Sequence, residues 1–113
     1  MSDIRIRKAD GTWVVRAAGA VIAESNNALE LSENGYESVI YFPRSCIAMA
    51  FLDTNDHSTV CPHKGTASYF DIAAKSSTLV NAAWSYENPK EGVAEIKDHL
   101  AFYCSENVAV EQL

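Results

Sequence analysis

The sequence predicts a mainly β protein, folded as a single compact domain of antiparallel sheets with one short helix near residues 89-98. Three observations support this fold class. Apolar and polar residues alternate with a period of two along most of the chain, turn-forming pairs separate these stretches, and only one stretch has helical spacing. A chain of 113 residues can enclose one hydrophobic core. Residues 1-113 are therefore expected to form one domain.

Five strands are expected in the first part of the chain, because apolar residues recur there at every second position. They are IRIR (4-7), TWVVRA (12-17), AVIAES (20-25), ALELSE (28-33) and ESVIYF (37-42). The pairs Asp10-Gly11 and Asn34-Gly35 are typical of hairpin turns. Gly19 separates the second and third strands, and Pro43 ends the fifth because it cannot donate a ladder hydrogen bond.

Further strands are expected in the second part. They are CIAMAFLD (46-53), the excursion STVCPHKGTASYFDI (58-72), STLVNAAWSY (77-86), and a final hairpin of HLAFYC (99-104) with NVAVE (107-111). The segment TNDH (54-57) is interpreted as a turn. Pro62 and Gly65 bend the long excursion, so its two arms are expected to be antiparallel neighbours joined by a loop at one end of the sheets.

The helix is predicted from capping and periodicity. Asn88 is placed to cap it, Pro89 suits its first position, and Glu91 follows the cap by three residues. Its apolar stripe is Val93, Ile96 and Leu100.

Charge and hydropathy exclude several classes of partner. The chain has nine basic and fifteen acidic residues, a net charge of −6, so nucleic acid and anionic membranes are not expected to bind. The longest apolar run, residues 46-52, is too short to cross a bilayer. No apolar signal core follows the N-terminus, and three scattered cysteines make no disulfide framework. A cytoplasmic location is expected.

The segment CPHKG contains the candidate catalytic residues Cys61, His63 and Lys64. A thiol with cations two and three residues away can act as a nucleophile, because cations favour the reactive thiolate. The alternative is a tight turn with no chemistry. Zinc sites need paired ligands, and Cys61 and His63 are only two positions apart, so neither a metal nor another cofactor is expected. Cys46 and Cys104 are interpreted as small buried hydrophobes.

Aromatic and charged residues near strand ends suggest a pocket for a small planar or anionic ligand, with Trp84 and Lys64 lining one cavity. Trp84 and Tyr86 are two positions apart and share one face of a strand. The alternative is that these rings close the end of the hydrophobic core. The candidate ligand-binding residues are Glu33, Tyr41, Arg44, Lys64, Tyr69, Trp84 and Tyr86.

The order VRAAGAVIAES, LELSENGYESVIYFPR, CPHKGTASYFDI, AAWSYENP and HLAFY resembles the family named domain of unknown function 427, also labelled nucleotidyltransferase-like. The resemblance implies a mainly β domain related to the β-tent architecture. The matching motif positions are Glu33, Tyr41, Pro43, Arg44, Cys61, Lys64, Gly65, Tyr69, Trp84, Tyr86 and Pro89. Acidic residues that usually follow the Pro-Arg pair are replaced here by Ser45 and Cys46. The paired cysteines that hold zinc in β-tent relatives are absent.

Three functions are compatible with these residues. The first is a small-ligand-binding domain with aromatic walls and orienting cations. The second is an enzyme in which Cys61 is the nucleophile, Lys64 stabilises its thiolate and His63 transfers protons. The third is a protein-interaction module that uses an exposed β edge. Nucleotidyl transfer is disfavoured because the sequence shows neither a phosphate loop nor paired metal-binding acids.

Overall fold

The computed structural model describes residues 3-113, which fold into two antiparallel sheets. The strands are β1 (Ile4–Lys8), β2 (Trp13–Ala17), β3 (Ala20–Ser25), β4 (Leu29–Glu33), β5 (Val39–Pro43), β6 (Leu52–Cys61), β7 (Gly65–Ala73), β8 (Thr78–Ser85), β9 (His99–Phe102) and β10 (Val108–Gln112). The large sheet has seven strands in the order β1-β4-β5-β9-β8-β7-β6, and the small sheet has the order β10-β2-β3. The mainly β, antiparallel prediction is confirmed.

Each face of the large sheet packs differently. The inner face packs against the small sheet, with Phe42, Phe70 and Leu100 meeting Val15 and Ile22 in one buried cluster. The outer face carries a second cluster built only from the large sheet and the segment Glu91–Ile96. Its buried members are Leu31, Tyr41, Ala67, Tyr69, Tyr86, Val93, Ile96 and Ala101. Side chains alternate between the two faces of a strand, so a single sheet supplies both clusters.

Two predicted hairpins do not form. After Asp10-Gly11 the chain crosses between sheets, so β1 pairs with β4 while β2 pairs with β3 and β10. The last two strands also separate, because β9 pairs within the large sheet and β10 within the small one. Turn residues bend the chain locally, but burial of the apolar faces determines which strand becomes the partner. The hairpin at Asn34-Gly35 is confirmed, and the two strands that Gly19 separates, β2 and β3, also pair antiparallel.

The expected strand at residues 46-53 was mostly wrong. Short 3-10 turns occupy Arg44–Cys46 and Met49–Phe51, and β6 begins only at Leu52. The expected turn at 54-57 instead lies inside β6 as a bulge, where the register with β7 shifts. The Asn55 amide donates hydrogen bonds of 2.7 Å to Asp71 and 2.8 Å to Asn81, which replace the missing ladder bonds.

The short helix lies where it was predicted but has 3-10 geometry. It covers Glu91–Ile96, with non-helical dihedrals at Val93, and Leu100 belongs to β9 instead. Lys90, not Asn88, precedes the first turn. The backbone N–H of Lys90 donates a 2.9 Å hydrogen bond to the carbonyl oxygen of Lys64. This bond ties the segment to the β6-β7 turn. Val93 and Ile96 are buried in this segment, so tertiary packing holds it in place although it does not form a continuous α-helix.

The CPHKG loop is the turn between β6 and β7, which are antiparallel with Cys61 opposite Gly65. The predicted arrangement of this segment is confirmed. Within residues 3-113, no helix has the length and apolar character needed to cross a bilayer.

Candidate functional site

Four rings on the outer face of the large sheet form a continuous aromatic cluster, defined here as Tyr41, Tyr69, Trp84 and Tyr103. The indole N–H of Trp84 donates a 3.3 Å hydrogen bond to the Tyr41 hydroxyl, and the two rings meet edge to face. Trp84 also lies 4.3 Å from Tyr103, which stacks on Tyr69 at 6.4 Å. Three predicted ligand-binding residues are thereby brought together on one face.

Tyr103 and His57 join this face without having been predicted as site residues. The ring of His57 lies 4.5 Å from that of Tyr69. Tyr103 is two positions after Ala101, and side chains two positions apart in a strand point to the same face of the sheet. This rule could have predicted that Tyr103 lies on the outer face with Ala101. His57 could not have been found this way, because it lies in the β6 bulge, which interrupts the alternation.

Three phenol groups of this face, those of Tyr41, Tyr86 and Tyr103, have raised pKa values. Burial raises the pKa of Tyr41 well above its ordinary value. Burial, with smaller contributions from Cys61, Tyr69 and Glu33, raises the pKa of Tyr86 to about 12. The pKa of Tyr103 is raised to about 12, first by burial and then by the neighbouring Tyr69. These three phenols can therefore donate and accept hydrogen bonds without carrying phenolate charge.

A charged group lies beside these rings at the β6-β7 turn. The Lys64 ammonium lies 3.2 Å from the Glu33 carboxylate, and their side chains are only 14% and 13% exposed. The same ammonium lies 3.8 Å from the Cys61 sulfur, which is partly buried. Glu33 ends β4, near one edge of the sheet, whereas Lys64 lies in the turn of the last two strands. The large sheet must curl for this pair to form.

Two predicted site residues lie apart from this group. Arg44 donates hydrogen bonds of 3.3 Å to both Glu87 oxygens and lies 5.6 Å above the ring of Phe70 in the inner cluster. His63 is exposed and lines a small surface depression with Ile4, Gly92 and Val93. Within residues 3-113, no hydrogen bond joins His63 to Cys61, so the structure gives no support for proton transfer between them.

Trp84 lines a cleft of about 430 Å³ at the end of β9. This Trp84 cleft is lined by Trp13, Glu30, Glu37, Ser38, Val39, Ile40, Trp84, Phe102, Tyr103, Cys104 and Val110. This cleft does not contain the predicted pairing of Trp84 with Lys64, because Lys64 is absent from its lining. Its ammonium is directed to Glu33 and Cys61 instead.

A second cavity of about 470 Å³ lies elsewhere and contains none of the predicted site residues. Small side chains such as Ala17 and Ala20 line it, and among the described lining residues Phe51 is the one ring and Lys75 the one charge. It offers a ligand few groups for orientation. Across residues 3-113, no three His, Cys, Asp or Glu side chains gather in a way that could hold a metal ion.

Comparison with known proteins identifies a family. A family model described as a domain of unknown function (DUF427), with the label NTP_transf_9, matches residues 5–112. This match covers nearly the whole chain, so the chain belongs to the DUF427 family. A search of the curated proteins gives no match.

Proposed function

We propose that this member of the DUF427 family binds a small organic molecule whose planar group lies in the Trp84 cleft. One observation carries the proposal: the rings of Trp13, Trp84 and Tyr103 line a single cleft of about 430 Å³. That volume lies in the range of small-molecule sites, about 300–1,000 Å³. Aromatic walls bind planar groups by stacking or edge contacts and by removing apolar surface from water.

The hydrogen bonds of the two tryptophans leave ring surface for the ligand. Trp13 donates its indole N–H to the carbonyl of Asp10 at 3.0 Å, and Trp84 donates to Tyr41 at 3.3 Å. Because both N–H groups are engaged elsewhere, these side chains offer the cleft apolar and π surface. The contacts of Trp84 with Tyr41 and Tyr103 also hold its ring in place before a ligand arrives, which lowers the entropic cost of binding.

An anionic group on the ligand is less well supported than a planar one. Lys64 is paired with Glu33 at 3.2 Å, and Arg44 is paired with Glu87 at 3.3 Å. Neither cation lines the cleft. An anion would therefore have to displace a carboxylate from its partner before it gained an ion pair of its own.

The test is a titration with small aromatic compounds, followed by the indole N–H signals of Trp13 and Trp84 in NMR spectra. We expect binding to shift both signals and Trp84→Leu to abolish the binding. Phe51→Leu is the matched control, since Phe51 is 47% exposed and lines only the second cavity. NMR shifts confined to the surroundings of Phe51 would contradict the proposal. If Trp84→Leu simply unfolds, Tyr103→Leu replaces it as the test variant, and unchanged binding by Tyr103→Leu would contradict the proposal.

A thiol-dependent enzyme is the second candidate, and one contact favours it. The Lys64 ammonium is 3.8 Å from the Cys61 sulfur. Attack by sulfur on an electrophile involves the anionic thiolate, and an adjacent ammonium stabilises that charge. In this function Cys61 is the nucleophile and Lys64 its electrostatic support, while Glu33 positions the ammonium. The rate of Cys61 alkylation with and without the Lys64 ammonium tests this candidate.

A further inference from the structure

We infer that the ligand of the Trp84 cleft is an organic cation, a planar group bearing an ammonium or a similar positive charge. This inference rests on the proposed function and adds the sign of the ligand's charge. It is carried by the charges and the rings that line the cleft.

The charges of the cleft are all negative. Among the described residues that line it, the ionisable side chains are Glu30, Glu37, the phenol of Tyr103 and the thiol of Cys104, with no lysine, arginine or histidine. Glu30 is 22% exposed and forms a 2.7 Å ion pair with Arg7, which lies outside the lining. Glu37 is exposed and forms no ion pair with another residue of 3-113. The cleft therefore has one carboxylate free to meet a cation.

The net charge of the chain acts in the same direction. At −6, the protein as a whole attracts cations to its surface and repels anions. Long-range attraction raises the rate of encounter, and the carboxylate of Glu37 provides a local partner once the ligand arrives.

The rings also favour a positive charge. The face of an indole or phenol ring carries negative potential, and a cation gains most over tryptophan. Trp84 and Tyr103 lie 4.3 Å apart with planes inclined by 41°, and Trp13 lines the same cleft. A cation in the cleft can meet aromatic surface and a carboxylate together, whereas an anion is repelled by both. A neutral planar molecule keeps the stacking contacts alone.

The experiment compares benzylamine, benzyl alcohol and benzoate, which share one ring and differ mainly in charge at neutral pH. Dissociation constants come from the shifts of the Trp13 and Trp84 indole signals at low and at high NaCl concentration. We expect benzylamine to bind about three- to tenfold more tightly than benzyl alcohol, and benzoate most weakly. The advantage of benzylamine should shrink at high salt, because Glu37 is exposed.

A matched pair of variants tests the role of the carboxylate. Glu37→Gln should weaken benzylamine binding about two- to fivefold and leave benzyl alcohol unchanged. Glu95→Gln is the control, since Glu95 is also exposed but lies outside the cleft lining. Equal binding of all three compounds at the cleft would overturn the cation inference and leave the proposed function intact. No shift of either indole signal with any compound would overturn both.

Discussion

Lys64 and Glu33 form an ion pair across the curled large sheet, with 3.2 Å between ammonium and carboxylate and a sequence separation of 31 residues. Both side chains are more than four-fifths buried. Removing two charges from water is costly, and their mutual attraction repays that cost only in good geometry. The pair also places the ammonium beside the Cys61 sulfur. It thus connects the curl of the sheet to the chemistry of the β6-β7 turn.

Breaking this pair should destabilise the fold. We expect Glu33→Gln to lower the free energy of unfolding by up to about 3 kcal/mol, because it leaves a largely buried ammonium without a partner. The double variant Glu33→Gln/Lys64→Met should recover part of the loss, since no charge is then left unpaired. Urea denaturation of the single and double variants measures the coupling.

The exposed pair of Arg16 and Glu111 is the control. Its atoms are 3.0 Å apart, yet its side chains are 50% and 52% exposed. Arg16→Met should cost less than about 1 kcal/mol. If both variants lose the same free energy of unfolding, burial does not make the Lys64–Glu33 pair more important for stability than an exposed pair.

Cys61 should be alkylated faster than its accessibility alone suggests if the Lys64 ammonium supports its reaction. We expect Lys64→Met to slow labelling of Cys61 by iodoacetamide near neutral pH, because the ammonium 3.8 Å away stabilises developing charge on sulfur. Mass spectrometry of timed samples gives a rate for each cysteine. Cys104 is the internal control; it was expected to be buried, but it is exposed because it follows the end of β9. Unchanged labelling of Cys61 in Lys64→Met would remove the support for a nucleophilic thiol.

Tyr86 should make stability depend on pH in the alkaline range. Burial raises its pKa from an ordinary value of 10.0 to about 12 in the folded protein. As pH rises, the unfolded chain loses this proton first, so the contribution to stability is complete below pH ~10 and is lost between about 10 and 12. For this group the free energy of unfolding should fall by up to about 1.4 kcal/mol per pH unit.

Tyr86→Phe should remove that part of the slope, measured by urea denaturation at several alkaline pH values. Tyr36→Phe, at a tyrosine that is 75% exposed, controls for the loss of a hydroxyl as such. An unaltered slope in Tyr86→Phe would mean that other groups cause the alkaline loss of stability.

Gly65 should be the least replaceable glycine of the β6-β7 turn region. Its φ is +113°, and an added Cβ would lie 3.3 Å from the carbonyl oxygen of Asn88. Gly65→Ala is expected to cost about 1–3 kcal/mol, since L side chains rarely adopt this backbone conformation. Gly92→Ala is the matched control, because Gly92 has open space around it and no positive φ, and it should be neutral or slightly stabilising. Comparable thermal shifts for both variants would contradict the backbone argument.

The local features of this protein could be predicted from its sequence. A period of two predicted most of the strands, and it correctly placed Trp84 and Tyr86 on one face. The bend of CPHKG and its antiparallel arms also follow from Pro62 and Gly65. These features depend on residues that are close in the chain, whose steric and hydrogen-bonding preferences act before any tertiary contact.

Strand pairing and the contacts between distant side chains emerged only in the folded structure. Turn chemistry at Asp10-Gly11 could not reveal that the chain crosses to the other sheet there. Arg44 is only three positions after Tyr41, yet it does not join the aromatic cluster. Its pairing with Glu87 holds it over Phe70, on the opposite side of the sheet. The meeting of Lys64 with Glu33 depends on the curl of seven strands. Local periodicity fixes which side of a strand is apolar, whereas partner choice depends on burial summed over the whole chain.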